Sequence, residues 1–278
     1  MEYITEESIR EFENTLTYNE KARATVQKYI AVLRVLAAWL GGEELTKPKL
    51  LAWREALLEK KKAKTVNGAL SAVNAYLRFR GLEGLRVHFV RVQRASFVEE
   101  SRELTEAEYK RLLDVARRKG DERLYFLMMT LAGTGIRISE LPYITVEAVA
   151  AGRAEIYMKG KSRTVLLPRE LRRHLREYIK RKGIREGVIF RTRSGRPMDR
   201  SNIGPQMKRL CEAAGVDRSK VFPHNFRHLF ARCFYAVEKN LAHLADVLGH
   251  SRIETTRIYV AVSAASHERV LEQMRLVV

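Results

Sequence analysis

Apolar residues return at steps of three and four along most of this chain, and that spacing confines it to a mainly helical fold. Val26, Tyr29, Leu33, Leu36 and Leu40 form one stripe, stopped by Gly41-Gly42. Leu70, Val73 and Leu77 form another, and the sets Leu171, Leu175, Tyr178 and Leu241, Leu244, Leu248 add two more. Thr46 is placed to cap a short helix through Leu57, and Thr105 and Glu108 have capping-box spacing. The apolar run Leu124 to Leu131 reads as a buried helix ended by Gly133-Thr134-Gly135. The period changes once: Ile156, Met158, Val165 and Leu167 flank Gly160-Lys161-Ser162, the pattern of a β-hairpin with a basic turn. The expected fold class is therefore mainly α with a small antiparallel β-sheet.

The 278 residues suffice for two buried cores. Residues 1–90 read as a small helical domain. Residues 91–102, polar and basic at their start, read as a linker. Residues 103–278 read as a larger, mainly helical domain that holds the hairpin. Its tail, Ser263–Val278, has Val270, Met274 and Val277 at helical steps and is expected to dock on a neighbouring protomer or on its own domain.

Charge narrows the partner. Lys and Arg number 52 against 33 Asp and Glu, a net +19 with a pI near 10.1. The surplus is uneven, because residues 151–220 alone carry 20 basic against 7 acidic side chains. A solvated helix face mixes signs, so this concentration implies a polyanionic partner, nucleic acid first and an anionic membrane surface second. A hydrophobic share of 46% excludes wholesale disorder. No apolar run approaches the ~20 residues of a membrane span, and the acidic start MEYITEESIREFE lacks a signal-peptide core. Cys211 and Cys233 have neither a CxxC nor a zinc spacing. The expectation is a cytoplasmic protein with reduced thiols and no membrane partner.

Four segments place phosphate-compatible side chains beside turns or helix starts. Arg137 follows Gly133-Thr134-Gly135, Lys159 stands beside the hairpin turn, and His224 and Arg227 share a helix face after Pro223. His250 precedes Ser251 and Glu254, a second capping-box pair, with Tyr259 about two turns on. Each alone is ordinary. Together, two arginines can clamp one phosphate, histidines can donate to its oxygens, a lysine can protonate a departing oxygen, and a tyrosine hydroxyl can attack phosphorus. No carboxylate cluster with metal spacing stands near them, so the set describes phosphoryl transfer through a phosphotyrosine with no metal and no cofactor.

The order Arg137, Lys159, His224-x-x-Arg227, His250, Tyr259, with the words GTGIRISEL, KGKSRTVLLP, HNFRHLFAR and LADVLGHSRIETTRIYV, resembles the tyrosine recombinase (phage integrase) family. The resemblance implies that Tyr259 is the nucleophile that becomes linked to a DNA 3′ end. It implies that Arg137, Arg227 and His224 hold the phosphate, and that Lys159 protonates the 5′-oxygen. His250 matches a second hydrogen-bonding position, and Glu140 the carboxylate that buttresses the site. Asn225-Phe226 and Leu229 depart from the commoner HxLRHT box. The implied architecture is a two-domain C-shaped clamp on double-stranded DNA, with 1–90 as the SAM-like core-binding domain and 103–278 as the catalytic domain. A homotetramer, or a heterotetramer with a second recombinase, is expected on two DNA sites, for integration or excision of a mobile element or for chromosome-dimer resolution. The sequence leaves no room for a further N-terminal arm-binding domain and so resembles compact Xer-like members. A type IB topoisomerase-like enzyme and a non-catalytic DNA-binding protein are the alternatives; an RNA-binding module fits worst, for want of an aromatic-rich sheet.

Overall fold

The computed structural model describes residues 2–92, 102–158, 160–192, 194–257 and 259. The chain divides into two compact units, Met1–Arg94 and Ala95–Val278. Among the described residues no helix is long and apolar enough to cross a membrane.

The first unit consists of α1 (Glu6–Tyr18), α2 (Arg23–Leu40), α3 (Lys47–Lys60) and α4 (Ala63–Phe79). The sequence reading assigns no helix to residues 6–18, because only Ile9, Phe12 and Leu16 mark its buried stripe and its cap, Thr5, pairs reciprocally with Ser8. The stripe of α2 is buried at Val26, Leu33, Leu36 and Leu40, and Gly41 ends the helix with φ of 61°. Thr46 does occupy the position before α3, but its side chain makes no capping hydrogen bond, and the helix runs past Leu57 to Lys60. Pro48 in the first turn sets the backbone there instead.

In α4, Leu70, Val73 and Leu77 are buried as their spacing predicts. Two asparagines on this helix act as a clip for the chain that follows. Asn74 donates to the Val87 carbonyl at 2.8 Å and accepts from its N–H at 2.9 Å. One heptad earlier, Asn67 does the same to Val90, at 2.9 and 2.8 Å. Each amide thus takes the place of a neighbouring strand for a main chain that has none.

The second unit opens with α5 (Glu106–Arg118), whose Thr105–Glu108 capping box forms as the sequence predicts. Next come α6 (Glu122–Thr134), a 3-10 turn at Ile138–Tyr143, and α7 (Val146–Ala151). The hairpin is β1 (Arg153–Met158) antiparallel to β2 (Lys161–Leu166), with Arg153 opposite Leu166 and Met158 opposite Lys161. Ala154, Ile156 and Val165 face the core while Tyr157 and Leu166 face out, the period-two pattern of a half-buried sheet. Then follow α8 (Arg169–Arg181), α9 (Arg200–Lys208), α10 (Cys211–Ala214), α11 (Pro223–Glu238), α12 (Leu241–Leu248) and α13 (Ile253–Arg257). The fully buried Leu127, Met128 and Leu131 make α6 the central helix, packed on α5, α8 and α11.

Asn74→Ala leaves the buried N–H and C=O of Val87 without partners, and is expected to destabilise the first unit by about 1–3 kcal/mol. Hydrogen exchange of the Val87 amide, faster in the variant than in wild type, checks this directly. Unchanged protection there would show that the clip is dispensable.

Candidate active site

The centre of the site is Arg227, only 1% exposed although it carries a full charge. Pro223 starts α11, and the helical period then sets His224, Arg227 and His228 on one face. Arg227 donates from Nη1 to the Gly135 carbonyl at 2.5 Å and from Nη2 to the Leu248 carbonyl at 2.8 Å. Burial, then repulsion by Arg137, pushes its pKa down to about 10, with the Tyr259 hydroxyl acting the other way. It stays charged at neutral pH. Gly135 (φ 62°) has no room for a side chain, since a Cβ would lie 2.4 Å from the Phe230 ring.

Arg137 precedes the 3-10 turn and is tied to Glu140 twice, by its main-chain N–H at 2.7 Å and by Nη1 at 2.9 Å. Its Nη2 reaches the Gly249 carbonyl at 3.4 Å, which brings it to the same place as Arg227. Glu140 is 3% exposed and also accepts from Arg163 of β2 at 2.5 Å. Burial alone would raise its pKa, but the Arg163 hydrogen bond and the Arg137 N–H outweigh it and hold the carboxyl below its ordinary value. Arg163 continues to the Val247 carbonyl at 2.7 Å, lying where a side chain on Gly249 would collide with it.

The last group comes from the chain after α12. Helix α13 begins at Ile253, so the residue before it is Arg252 and not Ser251, and Tyr259 lies in the turn beyond its end. His250 Nε2 stands 2.8 Å from Arg227 Nη2, and its Nδ1 stands 2.8 Å from Thr256 Oγ1. The Tyr259 ring, 4% exposed, stacks on His250 with centroids 5.5 Å apart and meets His228 edge-on at 4.5 Å. Ala231, Leu244 and Leu248 close around it. Its hydroxyl is 3.4 Å from His224 Nε2. Burial, followed by the charges on Arg227 and Arg137, lowers the pKa of His224. Burial and the same kind of repulsion lower His250 to about 4, as burial and then His224 and Arg227 lower His228 to about 4. These imidazoles are therefore neutral at physiological pH.

The structure thus brings together Arg137, Glu140, His224, Arg227, His250 and Tyr259. Lys159 and the tail Ser263–Val278 lie outside the described residues. Arg163, His228 and Thr256 enter the site without having been singled out in the sequence. Arg163 stands in the segment KGKSRTVLLP and His228 in HNFRHLFAR, yet nothing local distinguishes either from a solvated side chain. The departure at Asn225 has a local reason: its amide donates to the carbonyls of Lys220 at 2.7 Å and Arg102 at 3.0 Å, which a carboxylate could not do. Among the described residues no group of His, Cys, Asp or Glu is arranged to hold a metal ion.

Glu140 links pH to stability. Its folded pKa lies below the ordinary value of 4.5, so its contribution is complete above that value and is lost as pH falls through the folded pKa. Glu140→Gln, which strands two arginines, is expected to lower stability by roughly 3 kcal/mol at neutral pH. The gap from wild type should close in acid. Denaturant titrations at neutral and acid pH measure it, and a gap independent of pH would remove the charge from the explanation.

Comparison with known proteins gives the family and the fold. The phage integrase family model matches residues 102–266. A curated relative, tyrosine recombinase XerA of Thermococcus kodakarensis, is 29% identical over 283 residues, covering 98% of this chain and 96% of that one. Among solved structures, the Tn1549 transposon integrase in complex with transposon right end DNA has a TM-score of 0.73 at 19% identity, covering 97% of this chain and 99% of that one. A lambda integrase tetramer bound to a Holliday junction also has a TM-score of 0.73, at 18% identity, over 91% of this chain and 76% of that one. Buried arginine, neutral histidines and tyrosine thus stand within a fold shared with known integrases, and the chain belongs to the phage integrase family.

Proposed function

We propose that this protein is a site-specific DNA recombinase that cuts and rejoins strands through a 3′-phosphotyrosine at Tyr259. The observation that carries the reading is the Tyr259 hydroxyl 3.4 Å from His224 Nε2, with the tyrosine ring stacked on His250, which in turn contacts Arg227. In the cleavage step the Tyr259 oxygen bonds to phosphorus as the P–O5′ bond breaks. The neutral His224, with Nε2 facing the phenol, is the group available to take the phenolic proton. Arg227 and Arg137 neutralise the charge that grows on the nonbridging oxygens, with geometry fixed in advance by carbonyls and by Glu140. Lys159, by the resemblance, gives its proton to the departing 5′-oxygen. Rejoining reverses these moves.

Residues 103–278 are the catalytic domain and 1–90 the core-binding domain, each contacting double-stranded DNA, and the net +19 supplies the phosphate attraction. The working assembly is a tetramer on two DNA sites; the lambda integrase of similar fold, a tetramer bound to a Holliday junction, supports this. The protein acts in the cytoplasm, on a mobile element or on chromosome dimers.

The test is covalent trapping on host-derived duplex DNA that carries nicks, from which a short leaving strand diffuses away and blocks reversal. Wild type is expected to form a denaturation-resistant protein–DNA adduct, and Tyr259→Phe to bind equally well and form none. Arg227→Lys keeps the charge but loses the fork, and its adduct should form about a hundredfold more slowly or worse. An adduct that survives in Tyr259→Phe would overturn the assignment.

A further inference from the structure

The two nitrogens of His250 make contacts that specify one tautomer. A guanidinium only donates, so in the 2.8 Å contact with Arg227 Nη2 the imidazole accepts through Nε2. A neutral ring then carries its proton on Nδ1, and that nitrogen is 2.8 Å from Thr256 Oγ1, which accepts it. Thr256 is wholly buried on α13. Its main-chain carbonyl also accepts from the Tyr259 N–H at 3.0 Å. A single residue therefore touches the histidine that steadies Arg227 through its side chain, and the turn that carries the tyrosine through its backbone.

We propose that Thr256 is a positioning residue for strand cleavage: its hydroxyl holds His250 in the Nδ1–H form, leaving Nε2 to orient Arg227, while its carbonyl holds the Tyr259 turn. This role rests on the function proposed for Tyr259 and Arg227. It also constrains His250 itself. In this form Nε2 has a lone pair and no proton, so donation to a phosphate oxygen requires the ring to gain a proton on Nε2. The bond to Thr256 survives that change, because Nδ1 carries its proton in both forms.

The tautomer can be read on the DNA-free protein. In protein labelled with ¹⁵N-histidine, long-range ¹H–¹⁵N correlations distinguish Nδ1–H from Nε2–H rings, and the His250 signal is the one that vanishes in His250→Gln. Wild type is expected in the Nδ1–H form. Thr256→Val, which keeps the shape and removes the acceptor for Nδ1–H, should let His250 turn away from Arg227 and populate the Nε2–H form, and Thr256→Ser should restore the wild-type spectrum. In nicked-duplex trapping, Thr256→Val should cleave about ten- to a hundredfold more slowly, the scale of a small misplacement of reacting groups. Thr256→Ser should stay near wild type, and thermal melts of both variants verify folding. A wild-type His250 in the Nε2–H form overturns the proposal without any variant. So does normal cleavage by Thr256→Val, or a loss in Thr256→Ser as large as in Thr256→Val. No adduct from wild type itself would overturn the reaction proposed above and the positioning role with it, whereas an Nε2–H spectrum beside intact cleavage overturns the positioning role alone.

Discussion

A full positive charge buried almost out of reach of water is costly unless something negative meets it, and the second unit is arranged around that requirement. What meets Arg227 is a pair of main-chain carbonyls rather than a carboxylate. The Gly135 carbonyl belongs to the cap of α6, and Leu248 is the last residue of α12, so the guanidinium sits where two helices present their negative ends. Both helices stop there because the following glycine turns left-handed, at φ of 62° and 65°. The ends of α6 and α12 and the face of α11 are thus fixed relative to one another by the needs of one side chain.

Glu140 plays the complementary part at the rim. It gathers Arg137 and Arg163 onto one buried carboxylate and thereby joins the 3-10 turn to the hairpin. Arg163 then reaches across to the carbonyl of Val247, so the hairpin, the 3-10 turn and the end of α12 form a continuous polar chain. This places part of the basic surplus of residues 151–220 in structural work. Arg172 and Arg176 donate to carbonyls at the end of α7, and Arg173 pairs with Glu170 and Glu177. Such contacts with carbonyls leave the net charge unchanged but bind the side-chain ends, so a count of arginines overstates the number free to grip a phosphate.

What the sequence displayed follows from how local each signal is. The helical stripes up to Leu248, the Thr105–Glu108 box, the α6 stop and the hairpin alternation depend on neighbours within a few residues, and these are found in the structure. The stripe of α1 is too sparse to read, and Ser251 falls one residue short of the position before α13, which begins at Ile253. The candidate site residues could be picked out because the family words surround side chains that suit a phosphate. Arg163, His228 and Thr256 could not, since their roles arise from partners brought close by the fold, 6 residues away for Thr256 and 84 for Arg163. The Asn67 and Asn74 clip was hidden for the same reason: an asparagine in a helix usually signals only a weak helix former, and what it holds lies in a later segment.

Gly135, Leu248 and His250 hold the two ends of the Arg227 guanidinium, while its buried Nε has no hydrogen-bond partner among the described residues. Ordering a long side chain with many rotamers costs about 2 kcal/mol of conformational entropy. For Arg227 that loss belongs to folding, because its partners are the protein's own carbonyls and imidazole. Whatever enters the site therefore meets a guanidinium that is already still, and no part of the binding energy goes into stilling it.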